Sequence, residues 1–395
     1  MTRTDSEPRL KGATLTLAIV SAALLLAIST WLTGSAVAPD LIRRWALSGT
    51  EAALLSTSVQ LGFVIGTLLF AALNLADLFN PRAVFFLSAL AGAGLNAGFA
   101  FTDSLLPALV FRVLTGVSFA GVYPVGMKII AGWYRGGLGW RLGFLIGAFT
   151  LGTAAPWLVR SLDDDLPWRA ATLVSSAAAA LGGVLVLLGV REGPYLRERA
   201  KFDMRAMLHV FRHRPFRLAA FGYFGHMWEL YTFWTLAYLF IVAARLPEAE
   251  ADWLVFAAIA AGAVGCVGGG WLSRFVGERR VALWALAASG LCCAISPLLI
   301  DAPAVVIGAF VVFWGVVVVA DSAQFSALAV RHCPAVYTGT ALTAMNTGGF
   351  ILSIVSIQLI PLLAEALGWR WAFLFLVIGP AFGVLCLARL RLIQH

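Results

Sequence analysis

Residues 13–38 read ATLTLAIVSAALLLAISTWLTGSAVA, twenty-six positions without a charged side chain. At about 1.5 Å of rise per helical residue, such a stretch crosses the roughly 30 Å hydrocarbon layer of a bilayer. It is also too long for the apolar core of a cleaved secretion signal, about 7 to 15 residues, so it reads as a retained first span behind a polar start, MTRTDSEPRLKG. Outward from it the pattern recurs. Apolar runs separated by short polar breaks fall near residues 13–38, 52–76, 82–101, 105–128, 142–160 and 168–190. A second set follows near 216–243, 252–273, 280–299, 303–329, 337–362 and 368–390. With 61% hydrophobic and only 12% charged residues in 395, against roughly 25% charged in soluble domains, the composition fits the same reading. The expected fold class is an all-α polytopic membrane protein of twelve transmembrane helices, with no room for a sizeable domain outside the bilayer.

The net charge of +8 does not mark a nucleic-acid binder once the charges are placed. Threading the chain with both termini in the cytoplasm puts twenty-one of the 28 basic residues on the cytoplasmic side, as the positive-inside rule requires. The expected location is the cytoplasmic (inner) membrane, multi-pass, in contact with lipid and without nucleic acid. REGPYLRERAKFDMRAMLHVFRHR, residues 191–214, is the longest polar segment and the densest in basic residues; it reads as a cytoplasmic linker with a short amphipathic helix on the anionic leaflet. Cys266, Cys292, Cys293, Cys333 and Cys386 show no metal-ligand spacing and read as packing residues.

Two short passages recur half a chain apart. Leu75 and Arg82 beside the second span match Leu272 and Arg279 beside the eighth, 197 residues on; Trp168-Arg169 and Trp369-Arg370 open the sixth and twelfth, 201 residues apart. Near-equal offsets imply two parallel six-helix bundles related by a pseudo-two-fold axis: residues 1–190, a linker at 191–215, and residues 216–395.

These residues resemble the major facilitator superfamily, and the likeness extends over the chain. The family's loop after its second span, G-x-L-x-D-R-x-G-R-R, is matched in the second half by Gly270, Leu272, Gly277 and Arg279, with Arg274 where the acid belongs, and in the first half by Leu75, Asp77 and Arg82. The fourth span, FRVLTGVSFAGVYPVGMKIIAGWY, resembles the family's R-x-x-x-G segment through Arg112 and Gly116. The resemblance implies secondary transport by alternating access, with Asp77, Arg82, Gly270, Arg274 and Arg279 as gating-loop residues. It also sets the chain apart from the family's nitrate-type carriers, since neither the second nor the eighth span has an interior arginine.

Ionisable groups deep in a span cost at least about 2.5–3.5 kcal/mol to insert, so those present are candidates for function. Arg112 lies on the fourth span, His226 and Glu229 on the seventh and Asp321 on the tenth. His226 and Glu229 are three apart, on one helix face, in GYFGHMWELYTFWTLAY, a polar and aromatic stretch that also carries Tyr231. Glu229 is expected to carry a coupling proton with His226 as its relay. Arg112 is expected to hold an anionic group of the solute or to neutralise Glu229 or Asp321. Gln60, Gln324 and Asn346 complete the expected solute or proton path. No nucleotide loop, metal cluster or activated nucleophile is evident, so neither an enzyme nor a cofactor is expected. The leading expectation is a monomeric, proton-coupled transporter of a small organic or anionic metabolite. The alternatives are efflux of drugs or metabolites by proton antiport, and a non-transporting receptor or assembly protein with the same fold.

Overall fold

The computed structural model describes residues 12–134, 138–162, 166–195, 204–334 and 337–391, and among these every regular element is a helix. In the first half the spans are Ala13–Ile28 with Thr33–Trp45, Gly49–Ala72, Pro81–Phe99, Leu105–Phe119 with Tyr123–Ala131, Leu138–Ser161 and Trp168–Gly189. In the second half they are Arg214–Ala243, Glu248–Val276, Glu278–Leu299, Ala304–Val319 with Ser322–His332, Thr338–Leu367, and a chain from Trp369 to Arg391 that passes through a 3-10 turn at Phe373–Val377. Eleven of these twelve are long and apolar enough to cross a membrane by composition alone. The one left out of that tally is the seventh, Arg214–Ala243, thirty residues long but carrying His226, Glu229 and a run of Tyr and Trp. Residues 204–212 of the linker form a helix, Met204–His209, and a 3-10 turn; residues 196–203 lie outside the described part.

Helices outrun the apolar runs read from sequence because local chemistry sets their ends. The first span continues to Trp45, past the apolar run, and the second starts at Gly49 because Ser48 and Glu51 form a reciprocal capping box. The fourth restarts at Tyr123 with Pro124 in its first turn, where a missing N–H leaves no bond unmade.

Lipid supplies no hydrophobic push between helices, so close backbone approach at small residues holds them together. A Cβ on Gly116 would sit 2.0 Å from the Val59 carbonyl oxygen, and one on Gly315 1.9 Å from that of Ala258. The second span thus meets the fourth, and the eighth the tenth, in the same way.

The repeat is also visible in hydrogen bonds. Arg169 donates to the Ala100 carbonyl (2.9 Å) and to Asp103 (2.7 Å); Arg370 donates to the Pro297 carbonyl (3.0 Å) and to Asp301. At the end that carries Gly12 and Arg391, Arg82 donates to the carbonyl of Leu187 at 3.1 Å and Arg279 to that of Leu387 at 3.2 Å. Each pair staples the third or ninth span to the sixth or twelfth of its own bundle, and the two bundles are built alike.

Candidate functional site

The centre of the first bundle is organised by a break in the first span. Between Ile28 and Thr33 the helix opens, releasing the carbonyls of Thr30 and Trp31. The Arg112 guanidinium, fully buried, donates to both, at 2.9 and 2.6 Å, and also to the Leu55 carbonyl (3.2 Å) and to Asn96 Oδ1 (2.9 Å). One side chain of the fourth span therefore joins the first, second and third. The hydrogen-bond partners of Arg112 are backbone dipoles and an amide, where the sequence suggested Glu229, Asp321 or a solute anion.

The second bundle buries two acids and a base instead. Glu229 is 1% exposed, and its two oxygens accept from Trp314 Nε1 (2.6 Å), Ser289 Oγ (2.8 Å) and Cys293 Sγ (3.3 Å). The donors come from the ninth and tenth spans. Cys293, which reads as a packing residue in the sequence, is one of them. His226, one turn before Glu229, turns instead to the break in the tenth span between Val319 and Ser322. Its Nδ1 lies 2.8 Å from Asp321 Oδ1, and its Nε2 is 2.9 Å from the Ser322 hydroxyl. The Asp321 contact has the distance of an ion pair, but Oδ1 receives no aligned hydrogen bond, so it is an electrostatic contact rather than a directed one. Gln324, on the turn after Asp321, is buried. The i,i+3 spacing of His226 and Glu229 thus serves two neighbouring networks. Trp314 lies seven residues before Asp321 on the same span, a second sequence signal that links the two networks.

Between the bundles lies a seam of aromatic rings. Trp31, on the opened turn of the first span, packs against Phe63 (5.3 Å between ring centroids), Phe119 (4.9 Å), Phe149 (6.1 Å), Tyr231 (5.9 Å) and Phe350 (5.8 Å). One turn along the second span, Gln60 Oε1 accepts from Ser353 of the eleventh, and Gln358 donates to Thr57 at 2.9 Å. Farther along, Trp157 stacks on Tyr238 across the seam, at 5.6 Å and 22°. A shallow recess opens here between the first, second and seventh spans, lined by Ser35, Pro39, Ser56, Thr235 and Tyr238. Several buried groups beside it have no partner: Gln60 Nε2, Trp157 Nε1, Trp234 Nε1 and Thr235 Oγ1. An unsatisfied buried polar group costs on the order of 1–3 kcal/mol, so each of these four is a feature of the site to be accounted for. Asn346 of the eleventh span is half-buried.

At the end away from the termini, ion pairs join the bundles. Arg160 of the fifth span bonds Asp40 of the first and, at 3.2 Å, Asp252 of the eighth; Arg43 reaches Glu248 at 2.9 Å. The gating-loop residues at the opposite end bond within their own bundles: Arg82 and Arg279 as described, with Lys128 donating to the Ala76 carbonyl beside Asp77. Arg274 is exposed and Gly270 half-buried; the side chain of Asp77 lies outside the described part.

Residues 19–357 match the model of the Major Facilitator Superfamily. Over 168 residues the chain is 26% identical to the niacin transporter NiaP of Acinetobacter baylyi (strain ATCC 33305 / BD413 / ADP1), covering 41% of this chain and 37% of that protein. The fold superimposes on the crystal structure of a bacterial homolog of the human lysosomal transporter Spinster, in an inward-facing and unoccupied conformation. The TM-score is 0.74 with 15% identity, over 97% of this chain and 98% of that one. With a family model matched over most of its length, the chain belongs to the major facilitator superfamily of membrane transporters.

Proposed function

We propose that the protein is a proton-coupled secondary transporter of a small organic or anionic solute. Residues 1–190 and 216–395 rock against each other about the seam, with 191–215 as their linker. It works as a monomer in the cytoplasmic membrane, both termini inside. The observation that carries the reading is the surrounding of Glu229. With the carboxylate ionised, Ser289, Cys293 and Trp314 all donate to it. With a proton on Oε2, the carboxyl donates to Ser289 Oγ, whose own hydrogen turns to the Leu286 carbonyl at 3.2 Å. Both protonation states are then satisfied by one hydroxyl rotation.

Charge counting supports the same reading. Glu229, Asp321 and His226 form a buried set of two acids and one base, and a dry interior tolerates little net charge, so the set is neutral only when it holds two protons. Opening either face to water lets that number change. Glu229 would then be the proton carrier and His226 with Asp321 the second titrating pair. Gln60, Tyr231, Asn346 and Gln324 would contribute to the solute path, and Asp77, Arg82, Gly270, Arg274 and Arg279 to the gate at the terminal end. In proteoliposomes under an imposed proton gradient, Glu229→Gln is expected to abolish gradient-driven accumulation or current while solute exchange without a gradient persists. Gradient-driven accumulation that survives the substitution removes the proton role from Glu229.

A further inference from the structure

The strip of seam between the aromatic cluster and the ion pairs points to the kind of solute it takes. Two indoles there, Trp157 from the first bundle and Trp234 from the second, are 0% and 1% exposed, and neither N–H has a partner. An indole N–H only donates. Thr235 Oγ1, also unpartnered, lies on the wall of the recess beside Trp234. The Gln60 amide, one turn from Phe63, has one end committed to Ser353 and the other to nothing. The flanking surfaces are aromatic: Trp31, Tyr231 and Phe350, tilted against one another, on one side and the Trp157–Tyr238 stack on the other. The charges nearest this strip are already engaged. Arg112 donates to four acceptors inside the first bundle, while Asp40, Asp252 and Glu248 are paired with Arg160 and Arg43, Asp252 through Oδ2 with its Oδ1 left unbonded.

We infer that this strip is the solute site and that it selects a flat, apolar body bearing carbonyl or carboxyl oxygens over one bearing an ammonium group. The inference rests on the transport reading above and names its substrate class. An oxygen acceptor would satisfy the indole N–H groups and the Thr235 hydroxyl, and the ring faces would cover the body of the solute. An ammonium group would bring further donors to a strip whose unpartnered atoms are mostly donors, Asp252 Oδ1 at its outer end being the exception. A carboxylate would enter opposite neutral donors, with Arg112, Arg160 and Arg43 already bonded, so an acid is accepted most readily together with a proton.

The test is calorimetric titration of the full-length protein in lipid nanodiscs with three probes of one shape: benzamide, benzoate and benzylamine. Benzamide is expected to bind, benzoate to bind more tightly as pH falls, and benzylamine to bind at least tenfold more weakly than benzamide. Trp234→Phe and Trp157→Phe keep a ring and remove only the N–H; each is expected to weaken benzamide about fivefold to tenfold. Thr235→Val, nearly isosteric, gives a third reading should either aromatic variant fail to yield folded protein. Benzylamine binding as tightly as benzamide, no binding by either oxygen-bearing probe at millimolar concentration, or unchanged affinity in the folded variants overturns the inference. Proton-driven current lost in Glu229→Gln is scored separately, so a failed probe series leaves the transport reading standing, and a failed current leaves the binding result to be judged alone.

Discussion

The two bundles share their ends and differ in their middles. Arg169 and Arg370 make the same two kinds of bond, and so do Arg82 and Arg279, yet between these staples one bundle buries a guanidinium and the other two carboxyl groups with an imidazole. The guanidinium keeps its charge at any pH a cell reaches and is stabilised by three backbone carbonyl dipoles and the Asn96 amide oxygen. Carboxyl and imidazole groups gain and lose theirs. A duplicated frame thus holds unlike middles: a guanidinium bound to fixed acceptors in the first bundle, and groups of a kind that can take up or release a proton in the second.

The largest effect should separate those middles. Arg112→Met strands three carbonyls and the Asn96 oxygen, each left unsatisfied at about 1–3 kcal/mol, and is expected to cost several kcal/mol, seen as loss of a monodisperse, cooperatively melting protein. Glu229→Gln should melt within a few degrees of the native chain; equal damage from both would erase the distinction between fixed and exchangeable charge. Next come the crossings. Gly116→Val and Gly315→Val each force backbones apart and should cost comparable amounts, about 1–3 kcal/mol in thermal melts, because each meets a carbonyl at about 2 Å. Markedly unequal losses would show that the frames are less alike than their geometry.

A smaller effect is expected where the bundles join. Arg160→Leu removes the cation shared by Asp40 and Asp252, and an introduced Thr235→Cys should then be alkylated by an impermeant maleimide roughly tenfold faster, as expected for losing a charged hydrogen bond. An unchanged rate would mean that the ion pairs do not hold this end closed. The smallest concerns one staple. The hydrogen bond from Arg370 holds the exposed Asp301 carboxyl below its usual range. Its contribution is therefore complete above the unfolded value near pH 4 and fades as pH falls through the lower folded value. Asp301→Asn should flatten that acid limb of the melting profile slightly, and a profile unaltered from neutral to acid pH would remove the bond from the stability of the second bundle.

Much of the frame was legible in the sequence because it is written in periodic and repeated residues. Apolar runs give the spans, and the recurrences at Arg82 and Arg279 and at Trp168 and Trp369 give the halves. Arg112, His226, Glu229 and Asp321 stand out because charge is rare at that depth. Their partners do not stand out. The carbonyls of Thr30 and Trp31 become acceptors only because a helix opens there, and a broken turn without proline or glycine at its centre leaves no mark in composition. Ser289 and Cys293 look like ordinary small residues of a span, and the His226–Asp321 contact joins positions 95 residues apart. The seam is hidden for a similar reason: which face of an aromatic helix meets the other bundle is decided by tertiary packing.

The seventh span, too polar to be counted among the apolar eleven, bears on how the chain is made. When Arg112 emerges from the ribosome, every residue it will bond, at positions 30, 31, 55 and 96, has already been synthesised, so its helix enters a prepared receptacle. Glu229 and His226 emerge into the reverse situation, since their partners at 289, 293, 314, 321 and 322 are all still to come. The seventh helix is thus complete before any of these partners exists, and the cost of its buried ionisable groups, at least about 2.5–3.5 kcal/mol each on insertion scales, is offset only once the ninth and tenth helices have been made.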